Sequence, residues 1–396
     1  MPSSCRRGAE KEAPAFLLMP KVAIVKCTDY SPQNISRSVK EIFKLLDLSA
    51  IIKPGQKVLL KPNLLTDLPP ERGATTHPEI VKAIADEVED LGASPFIGDS
   101  PGGIGLQYEK VLKETGMKDL GIPIVNFEEK GMRKFENPGG KIDPIYISNV
   151  ALSFDLIINT PKLKTHELTL ITCGIKNMFG CVPGLHKVNY HLEAPSPEEF
   201  SAALVDLFEK IKPAVTIADA VTAMEGQGPA GGELRDLGLI IASKDTVALD
   251  AVCSKIMGFE TLDIPTTRIA AQRGLGEANM ERIEVCGGKL PEFRDFKHPS
   301  GISSILNKMP IPLAKLIKPL INMIRIRPKI NRRKCVKCLI CVNSCPAKAI
   351  DGKSFKINKN KCIMCFCCRE LCRYNAVDLK ESILWKILSK TKKIRT

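Results

Sequence analysis

Aromatic side chains make up only 5% of the 396 residues, with a single tryptophan, and there are five histidines. The few aromatics are not arranged as base-stacking platforms and no nucleic-acid reader motif is present, so specific nucleic-acid binding is not expected. His166, His186 and His191 are separated in a way that matches no standard single-metal site. No run of eighteen or more apolar residues occurs, which excludes an ordinary membrane-spanning helix. The opening residues have a basic start but lack the apolar core and cleavage site of a secretory signal. Neither a flavin nor a nicotinamide fingerprint is indicated, although flavins bind many folds.

Cysteine, by contrast, is abundant at 15 residues, and its spacing is ordered. Cys335-x2-Cys338-x2-Cys341-x3-Cys345-Pro346 is followed by Cys362-x2-Cys365-x2-Cys368-x3-Cys372. The flanks repeat as well: INRRKC and INKNKC precede the two ladders with an offset of 27 residues, which marks an internal duplication. This is the bacterial ferredoxin run, in which three close thiolates hold one cubane and the fourth reaches the other cluster. One [4Fe–4S] cluster is therefore assigned to Cys335, Cys338, Cys341 and Cys372, and the second to Cys362, Cys365, Cys368 and Cys345. Zinc would prefer thiolates in pairs. Disulfides suit small secreted chains. The stretch 330–380 resembles the two-cluster bacterial-type ferredoxin module, with one departure: Arg373 stands where a proline is common. Cys367 is a ninth cysteine in this region, either a small buried apolar residue or a spare ligand. Thiols at cluster spacing imply a reducing, low-oxygen compartment, and a cytoplasmic location is expected.

The net charge of +14 is unevenly spread. Residues 301–396 hold 23 Lys/Arg and 4 Asp/Glu, a balance of +19, so the remainder, with 35 basic and 40 acidic residues, stands at −5. Each oxidised four-thiolate cluster offsets about two positive charges, which leaves a strongly basic surface. An acidic redox partner such as a ferredoxin or flavodoxin is the first expectation for it.

Along the chain, β-branched runs alternate with helical patterns. Strands are predicted at 21–27, 57–63, 95–99, 123–127, 155–160, 214–219 and 238–243. Helices are predicted at 35–47, 77–92, 197–211, 245–257 and 264–273. This alternation predicts an α/β fold, a mostly parallel sheet with helices on both faces, plus a small α+β ferredoxin-like domain. The expected organisation is a disordered tail at 1–18, an α/β domain at 19–297, a basic amphipathic linker at 298–329, the ferredoxin-like domain at 330–380 and a basic helix at 381–396. The linker and the last helix, apolar on one side and basic on the other, either pack on the protein or lie on a membrane surface.

Polar residues recur where strands should end, and open α/β sheets bind ligands at the carboxyl ends of their strands. KPNLL supplies Lys61 and Asn63, and TTHPE supplies Thr76, which also suits a helix cap. GDSPGG supplies Asp99 and is neither a Walker loop nor G-x-G-x-x-G. NTPKLKTH supplies Lys162, Lys164 and His166, and GIKNMFG supplies Lys176 and Asn177. The stretch 159–177 reads either as a solvated basic loop or as a site for a small anionic substrate. DAVTAMEGQGPAGGE supplies Asp219 and Glu225 before a glycine-rich loop. These motifs, over roughly 20–290, resemble the family of domain of unknown function 362, whose members often carry a ferredoxin module. The resemblance implies that the motifs converge on one site, without supplying a reaction.

Two functions are expected to compete. In the first, the chain is an iron–sulfur reductase: Lys61, Asn63, Thr76, Lys162, Lys164, Asn177, Asp219 and Glu225 surround an anionic substrate, with Lys176 polarising it and His166 or Asp99 donating a proton. In the second, it is a non-catalytic electron-transfer subunit or maturation factor that docks a protein partner.

Overall fold

The computed structural model describes residues 19–102, 106–184, 186–293, 295–299 and 327–380. The expected tail at 1–18, nearly all of the linker and the last helix lie outside these residues.

The first half of the large domain lays down β1 (Lys21–Lys26), α1 (Pro32–Leu45), β2 (Lys57–Pro62), α2 (Pro78–Asp90), β3 (Ser94–Asp99), α3 (Tyr108–Glu114) and β4 (Ile124–Asn126). A separate antiparallel hairpin follows, β5 (Met132–Phe135) with β6 (Ile145–Ser148). Next come β7 (Leu156–Thr160), β8 (Lys162–His166), β9 (Leu170–Thr172), α4 (Gly174–Asn177), α5 (His186–Glu193) and α6 (Pro197–Lys210). The domain closes with β10 (Val215–Glu225), β11 (Glu233–Ser243), α7 (Thr246–Ile256), α8 (Pro265–Gln272) and β12 (Glu284–Cys286). The strands form one ten-stranded sheet in the order β12-β1-β11-β10-β7-β2-β3-β4, with β8 and β9 attached beside β10. β10, β7, β2, β3 and β4 run parallel, whereas β11 is antiparallel to both its neighbours.

Period-two alternation splits the strand residues between two cores. Val22, Ile24, Leu59 and Ile157 face α6, α7 and α8. Ala23, Val25, Val58, Leu60 and Ile158 face α1 and α2. The helices start where local chemistry favours it. Ser196 and Glu199 form a reciprocal capping box on α6, and the Asp245 carboxylate accepts the Val247 and Ala248 N–H groups of α7. The α/β fold with helices on both faces is therefore as expected from the pattern.

Two local readings differ. The polar stretch after β7 is not a solvated loop: β8 is buried throughout, pairs with β10 and turns back into β9. Thr76 does not cap α2, because His77 occupies that position and accepts the Glu79 N–H through Nδ1. Thr76 instead ties two strand ends together, donating to the Thr160 carbonyl at 2.6 Å and accepting the Asn63 N–H at 2.9 Å.

The small domain pairs β13 (Arg327–Ile330) with β14 (Val377–Lys380) around two short helices, α9 (Ile340–Asn343) and α10 (Cys367–Glu370).

Candidate functional site

The duplication seen in the ladders is also present in the backbone. Lys337 and Met364, Leu339 and Phe366, and Lys348 and Asn375 all adopt positive φ, between 47° and 63°, each pair at the ladder offset. Left-handed turns of this kind wrap a loop around an object held between its thiols. Sulfur contacts repeat too: the Ala349 N–H donates to Cys345 Sγ and the Ala376 N–H to Cys372 Sγ, both at 3.2 Å.

The thiols line two cavities. One is walled by Cys335, Cys338, Cys341 and Cys372. The other is walled by Cys345, Cys362, Cys365 and Cys368. Each set takes three thiols from one ladder and the fourth from the other, the exchange that the spacing predicts. Among the described residues, no three His, Cys, Asp or Glu side chains converge as a single-ion site. Cys367 does not wall either thiol cavity; it is buried and faces a third one.

That third cavity, of about 110 Å³, lies at the junction of the two domains. The large domain contributes Asn63, Asp99, His166, Lys176, Asn177 and Lys187. The small domain contributes Ser344, Pro346, Cys367, Glu370 and Leu371. Leu371 also walls the cavity containing Cys372, and Pro346 walls the one containing Cys345, so the junction cavity shares one lining residue with each thiol cavity. Part of the wall is aromatic: Phe179 and Phe200 meet edge to face at 5.8 Å, and His191 stacks on Phe200 at 4.6 Å.

The polar groups divide into those already paired and those that face the cavity. Lys61 and Asp99 form a buried ion pair at 2.8 Å, and the Asp99 carboxylate also accepts the Leu64 and Ser100 N–H groups. Lys162 donates to Tyr30 Oη at 2.6 Å and to Asp219 at 2.9 Å, and Tyr30 Oη donates to the other Asp219 oxygen. Lys164 donates to Asn63 Oδ1 and to the Ala74 carbonyl. Burial holds the ammonium groups of Lys162, Lys164 and Lys176 below the usual lysine range. Among the described residues, only Lys176 of these three has no ion-pair or hydrogen-bond partner.

His166 is held as a neutral ring. Its Nδ1 accepts the Leu168 and Thr169 N–H groups, so the proton sits on Nε2, 2.8 Å from Glu370 Oε1. That approach is close but poorly aligned for a hydrogen bond. Burial, with Lys176 nearby, pushes His166 down to about 4, and burial also pushes His191 to about 4. Burial would raise the Glu370 carboxyl, but His166 and Lys176 outweigh it and hold it low, so Glu370 is charged at neutral pH. Lys187 donates to the Ser100 carbonyl and hydroxyl at 2.6 and 2.7 Å, and burial brings it down to about 8.

Of the residues singled out in the sequence, Asn63, Asp99, His166, Lys176 and Asn177 line the junction cavity. Lys61 and Lys164 stand directly behind Asp99 and Asn63. Lys162 and Asp219 form a separate buried knot with Tyr30 and with His77, whose N–H Asp219 accepts. Glu225 is elsewhere, paired with Lys297 at 3.3 Å. The glycine-rich loop after β10 leads into antiparallel β11, not into a helix, so it is not a dinucleotide loop. It receives the small domain instead, with Arg369 hydrogen-bonded to Gln227. Sequence reasoning missed Lys187, which lies outside the motif blocks, and Glu370, which stands inside the second ladder between Cys368 and Cys372. It noted Arg373 only as a departure from the ferredoxin pattern. Arg373 pairs with Asp67 of the large domain, so the missing proline has made way for a bond between domains.

Two stretches of the chain match known families. Residues 58–255 match the family described as domain of unknown function (DUF362), and residues 327–373 match a 4Fe-4S dicluster domain. The thylakoid-associated protein sll1697 of Synechocystis sp. (strain ATCC 27184 / PCC 6803 / Kazusa) is 37% identical over 265 residues, covering 65% of this chain and 80% of that protein. A solved structure, the lactate racemase apoprotein from Thermoanaerobacterium thermosaccharolyticum, aligns with a TM-score of 0.38 and 11% identity over 60% of this chain and 57% of that one, too remote to bear on chemistry. No helix among the described residues is long and apolar enough to cross a membrane. The chain therefore belongs to the DUF362 family, and its residues 327–373 form a ferredoxin-type 4Fe-4S domain that supports iron–sulfur electron transfer.

Proposed function

We propose that this chain is a cytoplasmic reductase that takes electrons from an acidic carrier protein and delivers them to a small anionic molecule in the junction cavity. Two [4Fe–4S] clusters, one held by Cys335, Cys338, Cys341 and Cys372 and the other by Cys362, Cys365, Cys368 and Cys345, would supply one-electron transfer. The observation that carries the reading is the shared wall: the motif residues and the neighbours of the cluster cysteines enclose the same cavity. A cavity serving only as packing would not need an unpaired lysine pointing into it.

In this reading Lys176 binds the anionic group of the substrate and Asn177 and Asn63 orient it, while the apolar wall of Phe179, Phe200 and Leu371 excludes water. A two-electron reduction also consumes two protons. Lys187, brought down to about 8 by burial, gives up one in this reading, and water supplies the other. His166 and Asp99 serve as holding groups: backbone N–H groups take up His166 Nδ1, and Lys61 with two backbone N–H groups takes up the Asp99 carboxylate. Lys61, Lys164 and Thr76 hold the strand ends on which these residues stand. The knot of Lys162 with Asp219, and Glu225 beyond it, support the sheet and the domain junction.

The test is anaerobic reconstitution followed by iron and sulfide counting, EPR of the reduced protein, and reoxidation by a panel of small carboxylates and phosphates. Reoxidation by one chemical class, lost in Lys176→Met with the EPR spectrum intact, is the expected result. Clusters that reduce normally but are reoxidised by no small molecule would replace the reductase with a non-catalytic electron carrier or maturation factor. The name of the Synechocystis relative supports a further element of the reading, contact with a membrane surface through the basic segments 298–329 and 381–396.

A further inference from the structure

The two cysteine ladders are duplicates in sequence but are not equivalent in position. In the first, Val336, Cys338 and Leu339 are exposed, with Val336 at 55% and Leu339 at 41%, and Tyr374 beside them is at 43%. In the second, the residues at the same offset are Ile363, Cys365 and Phe366, all half-buried. Phe366 packs against the core of the large domain, whereas its counterpart Leu339 faces solvent. Arg369, Glu370 and Arg373, which make the contacts to the large domain, also come from the second ladder. The bonds to the large domain are therefore made by the second ladder, and of the first ladder only its end, Ser344 and Pro346, reaches the junction cavity, while Val336, Cys338 and Leu339 stay exposed.

The exposed ladder has the makeup of a small docking surface. Val336, Leu339 and Tyr374 are apolar and wall the cavity of the first thiol set from the solvent side. Arg332, Arg333, Lys334 and Lys337, all exposed, stand beside Val336 and Leu339 in the chain. Residues 327–350 contain no Asp or Glu, so no acidic side chain of that segment offsets these charges. An apolar centre with a rim of one charge sign is how a transient electron-transfer contact of under about 1,200 Å² achieves orientation and rapid encounter.

We propose that this face is the electron-entry port and that its partner is an acidic one-electron carrier protein with a small apolar centre. The partner docks over Val336, Leu339 and Tyr374 and gives up one electron, becoming oxidised by one, with no bond made or broken. Val336, Leu339 and Tyr374 are not among the residues that line the junction cavity. The inference rests on the two-cluster reading and adds an entry point to it: the first thiol set is the one whose wall faces the donor.

The test reads association rather than turnover. The full chain, reconstituted anaerobically, is titrated with a small acidic plant-type ferredoxin by calorimetry at low and at moderate salt. Lys334→Glu/Lys337→Glu is compared with Lys359→Glu/Lys361→Glu, which makes the same charge change at the start of the second ladder. At low salt the first variant is expected to weaken binding by about tenfold or more and the second by less than about threefold, with the difference fading as salt rises. Equal losses in both variants would mean that net charge alone attracts the carrier, and no loss in the first would mean that it docks elsewhere; either overturns the port. Iron content and EPR identify a variant that has lost its clusters, in which case Lys334→Gln/Lys337→Gln, expected to weaken binding about threefold, takes its place. Loss of the port would leave the reductase reading standing on its own reoxidation assay.

Discussion

The buried pair of Lys61 and Asp99 offers a stringent test of how the site is held. The two groups are 0% and 4% exposed and 2.8 Å apart. Asp99 also accepts the Leu64 N–H at 2.8 Å and the Ser100 N–H at 3.0 Å. Replacing Lys61 with Met keeps the stem volume and removes the charge, so a buried carboxylate remains with two backbone donors and no counter-ion. Breaking a buried pair in this way costs about 3–5 kcal/mol. Adding Asp99→Asn removes the stranded charge, while the amide oxygen still accepts one of the two N–H groups. The remaining cost is about 1–3 kcal/mol, that of one orphaned donor. The second substitution should therefore restore about 2 kcal/mol rather than add to the damage, the difference between those two ranges. Urea unfolding of the apo chain, followed by far-UV circular dichroism with the slope checked for constancy, measures the sign directly. Asp99→Asn lowering the stability of the Lys61→Met background further would refute the argument that charge compensation dominates here.

Three other outcomes are expected. Lys176→Met should abolish reoxidation by the substrate, a loss of at least about a hundredfold, without changing unfolding or EPR; an unchanged rate would remove Lys176 from the site. Cys345→Ala should lower the iron content from about eight to about four per chain and leave the cluster of Cys335, Cys338, Cys341 and Cys372, which EPR would show as a single uncoupled spin; retention of both clusters would refute the crossed assignment. Lys187 has its folded value lowered by burial to about 8. An unfolded lysine titrates near about 10.4, so between these values the unfolded chain binds more protons and stability from this group rises with pH. Lys187→Met should flatten that rise, and in the parent the substrate-dependent rate should fall as pH climbs through about 8; a parent rate flat to pH 10 would exclude Lys187 as the proton donor.

Much of the molecule was legible because its determinants are local. Cluster ligation depends on thiols a few residues apart, so two ladders at one offset indicate both cavities and the exchange of Cys345 and Cys372. Strands such as KVLLKP and LIINT declare themselves by continuous apolar runs, and α1 by its buried stripe of Ile35, Val39, Ile42 and Phe43. The candidate site was legible only as a list of polar residues at strand ends. Their roles depend on partners far along the chain. Lys162 and Lys164 have the composition of anion binders, yet Tyr30, Asp219, Asn63 and a backbone carbonyl take up their donors, whereas Lys176 is left free. Arg373 has its reason in Asp67, 306 residues earlier. What the sequence by itself determined is the α/β class, the two cysteine ladders of a 4Fe-4S dicluster domain and the basic character of one end. Which lysine faces the cavity, which ladder faces solvent and that the two domains enclose one site were decided only by tertiary packing, because burial and pairing are properties of the assembled chain.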